Sequence, residues 1–287
     1  MLGALLLWLS RRRLSTVHRL GSALGALVFL VSGSYRRKLV GNLRAAGLDT
    51  PPVRRGAVCH AGMLATESAR IWLRPPEETA ALVEVVDWTP VDAALRRGRG
   101  LIVLTPHLGA FEAAARCFAA RLPITVLYKP PRHAGLRALV EATRGHRNLR
   151  TAPTTLAGVR ALLRALRRGE TVGILPDQVP DGGDGRWSSF FGRPAYTITL
   201  PERLAQSSGA AVALAVCERL PGRGWRLHLQ PMHEPPTPDA VNAAMEAQIR
   251  RFPQQYLWGY NRYRQPRDTA AAAAVAAAAA PGSGARP

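Results

Sequence analysis

The chain has 287 residues, with 39 Lys or Arg against 19 Asp or Glu, so its formal charge is +20. Hydrophobic residues make up 47% of the chain, a fraction that can build a core and that excludes a wholly disordered protein. Three widely spaced cysteines exclude a disulfide framework and a CxxC metal knuckle, which is typical of a reducing compartment. The charge indicates nucleic acid, an anionic membrane or a phosphorylated substrate as partner, over an arginine-rich compositional background.

The N-terminal region carries two apolar stretches, each followed by basic residues. Residues 1–10 precede three arginines, and residues 20–34 precede Arg36, Arg37 and Lys38. The second stretch is shorter than the roughly 20 residues that a membrane-spanning helix needs. Basic residues after the first stretch, and not before it, argue against a secretory signal peptide. Three interpretations remain: a short membrane anchor, interfacial helices with arginines at lipid phosphates, or a core helix of a soluble domain.

From about residue 80, short apolar runs alternate with helical stretches. Buried strands are predicted at residues 101–105, 124–128, 171–175, 211–216 and 225–230. Helices are predicted at residues 55–74, 110–120, 134–144, 155–168 and 238–252. This alternation predicts an α/β fold, with a mainly parallel or mixed central sheet flanked by helices and joined by right-handed crossovers.

The segment LIVLTPHLGAFEAAARCFAA, residues 101–120, reads as a buried strand, a turn and a helix. His107 follows the C-terminal end of the strand, where open α/β sheets bind ligands. Glu112 stands in the first turn of the helix, within reach of His107. A carboxylate beside an imidazole fixes its tautomer and stabilises the imidazolium, so the pair predicts a general base. The same sequence pattern would also arise from a solvated histidine without a catalytic role and a first-turn glutamate that the helix dipole favours.

Other chemistries have less support in the sequence. No GxSxG serine elbow occurs. No His or Cys stands at metal-ligand spacing from His107, so neither a metal nor a cofactor is predicted. The alternative from a different functional class is a basic nucleic-acid-binding protein. The sequence has no recognisable nucleic-acid-binding motif, and this alternative leaves the apolar N-terminus unexplained.

His-x4-Glu after a hydrophobic strand resembles the glycerolipid acyltransferase superfamily, and HLGAFE is similar to the His-Phe-Gly-Asn-Trp-Glu motif of the lipid A biosynthesis (lauroyl/myristoyl) acyltransferases. Further segments resemble that family in order: Arg37 with Asn42-Leu43, Glu67 before Trp72, Arg144 in ATRGHR, Asp177-Gln178 in ILPDQVP, FFGRPAYTITLPERLAQSSGA and PQQYLWGYNRYR. The resemblance covers roughly residues 20 to 265. It departs at Ala110 and Phe111, where Asn-Trp is commoner.

The resemblance implies an O-acyltransferase that moves a fatty acyl group from an acyl thioester on an acyl carrier protein to a hydroxyl of a lipid A precursor. It implies that His107 deprotonates the acceptor, with Glu112 orienting His107 as a His–Glu dyad. Substrate-binding or supporting roles fall to Arg144, Asp177, Gln178 and Glu67. Arg144 would bind acceptor phosphate or the donor. The acidic carrier would dock on basic helix surfaces such as Arg160, Arg164, Arg167 and Arg168.

The expected organisation has three parts. Residues 1–40 form an N-terminal membrane anchor or interfacial segment, residues 41–267 the acyltransferase domain, and residues 268–287 a disordered Ala-rich tail. The expected partners are the acyl carrier protein, a lipid acceptor and a membrane surface, without nucleic acid, at the cytoplasmic face of a bacterial inner membrane. An acyltransferase for another glycolipid or lysophospholipid, with CoA or another carrier as donor, stays open. Acyl-chain length, acylated position and oligomeric state are not determined.

Overall fold

The computed structural model describes residues 2–128 and 148–266. The predicted helix at 134–144, with Arg144, and the predicted tail at 268–287 lie outside these residues. The α-helices of the described ranges are α1 Leu2–Ser10, α2 Leu14–Val31, α3 Gly33–Ala45, α4 Pro51–Leu73, α5 Pro76–Ala80, α6 Thr89–Arg96, α7 Phe111–Arg121, α8 Leu156–Arg167, α9 Leu200–Ser208 and α10 Pro238–Arg251. A single 3-10 turn, Pro253–Gln255, follows α10.

Seven strands form a mixed central sheet and two form a separate hairpin. The strands are β1 Val83–Val85, β2 Leu101–Leu104, β3 Ile124–Tyr128, β4 Leu149–Pro153, β5 Thr171–Ile174, β6 Gly185–Phe190, β7 Arg193–Ile198, β8 Ala211–Leu220 and β9 Gly224–Met232. The sheet order is β1-β9-β8-β2-β5-β3-β4, and β6 pairs with β7. Neighbours in the sheet run parallel, except for the antiparallel pair β8–β9. The predicted α/β class is therefore confirmed.

All five predicted strands are present, and the one predicted at 211–216 extends to Leu220. The sequence prediction missed β1, β4 and the β6–β7 hairpin. β4 lies at one edge of the sheet, ends in Pro153 and has two buried positions among five. Edge strands and hairpins do not need a continuous apolar run, so a search for buried runs passes over them.

The core lies on both faces of the central sheet. All four residues of β2 are buried, and successive side chains of a strand point to opposite faces. Ile102 and Leu104 belong to the cluster that includes Leu162 and Leu166 of α8, whereas Leu101 and Val103 belong to the cluster with α6 and α7. This burial places the C-terminal end of β2, and the turn that follows it, in the middle of the molecule.

The N-terminal helix α2 packs against α4 through glycines. A methyl group added at Gly62 of α4 would lie 2.0 Å from the carbonyl oxygen of Gly21 and 2.6 Å from the amide nitrogen of Gly25. These distances are far below van der Waals contact, so the close approach requires glycine at position 62. The contact joins the N-terminal helices to the rest of the fold.

The side of α2 that does not face α4 is apolar and exposed. Its exposed large residues are Leu20, Leu24, Leu27, Val28, Leu30 and Val31. Within the described part of the chain, α2 is the one helix that is long and apolar enough to cross a membrane, by length and composition alone. Whether residues 1–40 form a separate segment stays a prediction.

We expect Gly62→Val to reduce the free energy of unfolding by about 1–3 kcal/mol, because the added side chain must push α2 away from α4. Urea unfolding in mild detergent measures the effect. The matched control is Gly41→Ala in α3, where an added methyl group meets no atom within 4 Å. The control should gain stability, because alanine favours a helix over glycine by up to about 1 kcal/mol. Equal stability of the two variants would contradict the glycine packing.

Candidate active site

His107 and Asp177 meet at one edge of the sheet. They follow β2 and β5, which are neighbouring parallel strands, and the carboxyl ends of such strands meet at the same edge. His107 Nδ1 lies 2.7 Å from Asp177 Oδ1, and the backbone N–H of His107 donates to Asp177 Oδ2 at 2.9 Å. One carboxylate therefore holds both the ring and the main chain of His107.

The carboxylate of Asp177 is buried and ionised. Burial by itself would raise the pKa of Asp177, but the charge and hydrogen bonds of His107 and the nearby Arg262 outweigh burial and lower it. Burial, and then the Asp177 charge, raises the pKa of the Tyr256 hydroxyl well above its usual value. Because Asp177 is a buried anion that can only accept, Nδ1 of His107 carries the proton that joins them, and in the neutral ring Nε2 has the lone pair.

The Nε2 side of His107 faces a cavity. Gln178 Nε2 lies 3.1 Å from His107 Nε2, so its amide donates to the ring lone pair. The ring of Phe111 packs edge-on against the imidazole, with centroids 4.7 Å apart. The His107 side chain is 14% exposed. A basic nitrogen held in this way can accept a proton from a ligand in the cavity.

The carboxylate that contacts His107 Nδ1 is that of Asp177, and within the described residues no hydrogen bond or ion pair joins Glu112 to His107. Glu112 stands in the first turn of α7, in the wall of the same cavity. The partner of Nδ1 follows from the pairing of β2 with β5 and not from closeness along the chain. The expected His–Glu dyad stays a prediction.

The cavity has a volume of about 760 Å³. His107, Glu112 and Gln178 belong to its wall. Its apolar wall includes Val126, Leu127, Val159, Leu163, Leu175 and Leu204, from β3, α8, the end of β5 and α9. Charged residues of the wall include Asp181, Asp184, Arg203 and Arg264. A chamber with a large apolar wall and an imidazole nitrogen among its polar groups suits a ligand that joins a hydrocarbon chain to a reactive polar group.

Glu67 lies in a second buried cluster behind the turn, and it is not in the cavity wall. Arg219 donates from two nitrogens to its two carboxylate oxygens. His18 Nε2 and Trp225 Nε1 lie 2.8 and 3.1 Å from Glu67 Oε2. Burial opposes ionisation, but Arg219 and His18 outweigh it and hold the pKa of Glu67 at about 2. Direct contact of Glu67 with a ligand in the cavity is therefore not supported.

Of the predicted site residues, His107, Glu112 and Gln178 lie in the wall of one cavity, and buried Asp177 contacts His107. Arg144 lies outside the described residues. Sequence reasoning missed Arg219 and Tyr256. Arg219 stands in an otherwise apolar strand, and this position could have marked it in the sequence. An arginine that such a strand buries needs a charged or hydrogen-bonding partner. Within residues 2–128 and 148–266, no three His, Cys, Asp or Glu side chains are grouped to hold a metal ion.

We expect Asp177→Asn to change the tautomer or orientation of the His107 ring, because an amide in place of the carboxylate alters the partner of Nδ1. Nitrogen NMR of the imidazole measures this change. The matched variant is Glu112→Gln, which should leave the ring signals close to those of the unaltered protein. A larger spectral change with Glu112→Gln than with Asp177→Asn would contradict the assignment.

The chain is similar to known bacterial proteins along most of its length. The family described as bacterial lipid A biosynthesis acyltransferase matches residues 4–265. The lipid A biosynthesis palmitoleoyltransferase of Escherichia coli (strain K12) is 26% identical over 211 residues, which cover 71% of this chain and 68% of that protein. The lauroyltransferase of the same organism is 27% identical over 214 residues, covering 71% and 69%.

A lipid A biosynthesis acyltransferase of Haemophilus influenzae is 26% identical over 188 residues, which cover 61% of this chain and 57% of that protein. The family match runs from α1 to the segment after α10 and so includes the strand, the turn and the helix around His107. The chain belongs to the bacterial lipid A biosynthesis acyltransferase family.

Proposed function

We propose that this protein is an O-acyltransferase that moves a fatty acyl group from an acyl carrier protein thioester to a hydroxyl of a lipid A precursor. Family membership supports acyl transfer to lipid A. The observation that carries the chemistry is His107, whose Nδ1 is held by buried Asp177 while Nε2 faces an apolar cavity. That arrangement suits a general base next to a long acyl chain.

In the proposed reaction, Nε2 of His107 takes the proton of the acceptor hydroxyl. The acceptor oxygen attacks the thioester carbonyl carbon, and the new C–O bond gives a tetrahedral oxyanion. When that intermediate collapses, the C–S bond breaks and the imidazolium returns its proton to the leaving sulfur. Asp177 stabilises the imidazolium throughout, so the same pair serves first as base and then as acid.

The oxyanion needs hydrogen-bond donors in the cavity. The first N–H groups of α7 are suitable, because that helix begins at Phe111 directly after the turn. The amide of Gln178 is a second donor, close to Nε2 of His107. In this proposal Gln178 gives way to the acceptor hydroxyl on Nε2 and then serves the developing negative charge.

Glu112 keeps a proposed role on the substrate side of the dyad. Glu112 belongs to the cavity wall, as His107 and Gln178 do. There it would accept a hydrogen bond from the acceptor and add negative charge near the imidazolium. Arg144 keeps its proposed role of binding acceptor phosphate or the donor, which follows from the family resemblance alone.

The N-terminal helices supply a proposed membrane surface. The exposed side of α2 is apolar, and Leu5, Leu7 and Trp8 of α1 are exposed as well. Arginines flank both helices. A surface of this kind suits the interface of an anionic bilayer, where apolar side chains enter the acyl region and arginines meet phosphates. We place it at the cytoplasmic side of the inner membrane, where acyl carrier protein is available.

Helix α8 has the two faces that a carrier-dependent enzyme needs. Val159 and Leu163 line the cavity. Arg160 and Arg164, one turn apart, are exposed on the same helix. An acidic carrier docked on these arginines would bring its thioester close to the cavity wall.

We expect His107→Ala to lower kcat by about 10²–10⁴-fold, because the acceptor hydroxyl loses its base. Rates are measured with purified enzyme, acyl carrier protein thioester and a lipid A precursor. The matched control, His233→Ala, removes an exposed histidine that is not in the cavity wall and should keep full activity. A fully active His107→Ala enzyme would contradict the proposed mechanism.

Mass spectrometry of membrane lipids tests the acceptor class. Cells with the unaltered protein should contain lipid A heavier by one fatty acyl group than cells with His107→Ala. A change confined to another glycolipid or to phospholipids would replace lipid A as the acceptor while keeping acyl transfer. No change in any lipid would contradict the proposed function as a whole.

We expect the double reversal Arg160→Glu with Arg164→Glu to raise KM for the carrier-bound donor at least tenfold, because the acidic carrier is then repelled. The KM for a small acyl thioester should stay unchanged. The control is Arg96→Glu with Arg97→Glu, which makes the same change in charge at exposed residues outside the cavity wall. Equal effects of both reversals would mean that only overall charge matters.

A further inference from the structure

We propose that Arg219 is a positioning residue for His107, and that Glu67 and His18 extend its action to helix α2. The buried series runs from α2 to the carbonyl oxygen of Gly109, in the turn that carries His107. Correct packing of α2 thereby becomes a condition for correct placement of the general base. The kinetic part of this inference rests on the proposed function, whereas its structural part does not.

The turn after β2 is held from outside at consecutive positions. Leu257 N–H donates to the His107 carbonyl at 3.0 Å, and Ala110 N–H donates to the Cys217 carbonyl at 2.7 Å. Gly109 has a φ of +65°, and a methyl group there would lie 2.1 Å from the Cys217 carbonyl oxygen. The turn therefore lies directly on β8, and its backbone position depends on groups from other elements.

Arg219 is the side chain that fixes this turn from behind. Its Nη2 donates to the Gly109 carbonyl at 3.0 Å and also contacts Glu67. Its main chain is tied to the side chain of Gln255, which accepts from Arg219 N–H at 2.8 Å and donates to the Arg219 carbonyl at 3.2 Å. The Gln255 carbonyl accepts from Gly109 N–H at 3.0 Å. Both polar backbone groups of Gly109 thus depend on Arg219 or its partner.

Because Arg219 is buried, its position depends on Glu67 and, through Glu67, on His18. Arg219 is 1% exposed and Glu67 is 0% exposed, and a charge in such a place is costly unless paired and hydrogen-bonded. His18 Nδ1 accepts from the backbone N–H of Gly222 at 2.9 Å, so Nε2 carries the proton that Glu67 receives. Movement of α2 away from α4 would remove this donor and loosen the hold of Glu67 on Arg219.

Arg219→Lys separates positioning from charge. Lysine keeps one positive charge for Glu67, but it lacks the planar fork that reaches both Glu67 and the Gly109 carbonyl. We expect amide hydrogen exchange at Gly109 and Ala110 to become at least tenfold faster. We also expect kcat to fall at least tenfold, with KM values changed by less than twofold. Arg226→Lys on the neighbouring strand β9, with a partly exposed arginine, should change neither quantity.

His18→Phe tests the outer end of the series and serves if Arg219→Lys does not fold. Phenylalanine keeps a ring of similar size in α2 but offers no donor to Glu67. We expect smaller changes in the same directions: amide exchange at Gly109 and Ala110 about threefold or more faster, and kcat about threefold or more lower. An effect in this direction from a residue outside the cavity wall would support coupling between α2 and the turn.

Two results would overturn the inference. Unchanged exchange at Gly109 and Ala110 in both variants would show that Arg219 does not hold the turn, whatever the activity. Faster exchange with unchanged kcat would show that the turn moves without consequence for His107. If the unaltered enzyme shows no acyl transfer, the proposed function fails, and the exchange data alone decide whether Arg219 fixes the turn.

Discussion

The buried carboxylate of Asp177 is the constraint on which the rest of the site depends. An ionised group without water must be surrounded by donors, and here the donors come from distant parts of the chain. His107 supplies its ring and its backbone N–H. From the segment after α10, the Tyr256 hydroxyl hydrogen-bonds Asp177 and the charge of Arg262 lowers the pKa of Asp177. Satisfying one charge therefore fixes the ends of β2 and β5 relative to the C-terminal part of the fold. The imidazole is thereby held in one orientation before any ligand arrives, which is the form of preorganisation that acid–base catalysis uses.

A buried ion pair, Glu67 with Arg219, lies against the same turn. Asp177 holds His107 at Nδ1, and Arg219 donates to the Gly109 carbonyl. Buried ion pairs contribute little net stability, because desolvation offsets much of their attraction. Their value here is geometric, since each pair defines one arrangement of several elements and tolerates few others. The turn between them has little freedom, and its glycine lies against β8 with no room for a side chain.

Helices α8 and α2 each present one face to the interior of the protein and another to solvent, and each carries one of the proposed binding surfaces. Helix α8 presents leucine and valine to the cavity and arginine to solvent. Helix α2 presents glycine to α4 and large apolar side chains to its surroundings. In the proposed function, α8 links a carrier surface to the cavity, and α2 links a membrane surface to the buried charges beside the His107 turn. The formal charge of +20 fits anionic partners on both surfaces.

The α/β class, five strands and the strand–turn–helix unit that carries His107 are predictable from the sequence, because apolar runs, turn residues and helix starts are local signals. The family resemblance also singled out Asp177 and Gln178 as site residues. Only the tertiary structure decided which carboxylate holds the imidazole. Glu112 is near His107 in the chain, yet Asp177, 70 residues away, takes Nδ1 because β2 pairs with β5. The burial of Glu67 and its pairing with Arg219, 152 residues apart, were likewise beyond the sequence. Strand order and helix packing bring such groups together, and no local pattern records them.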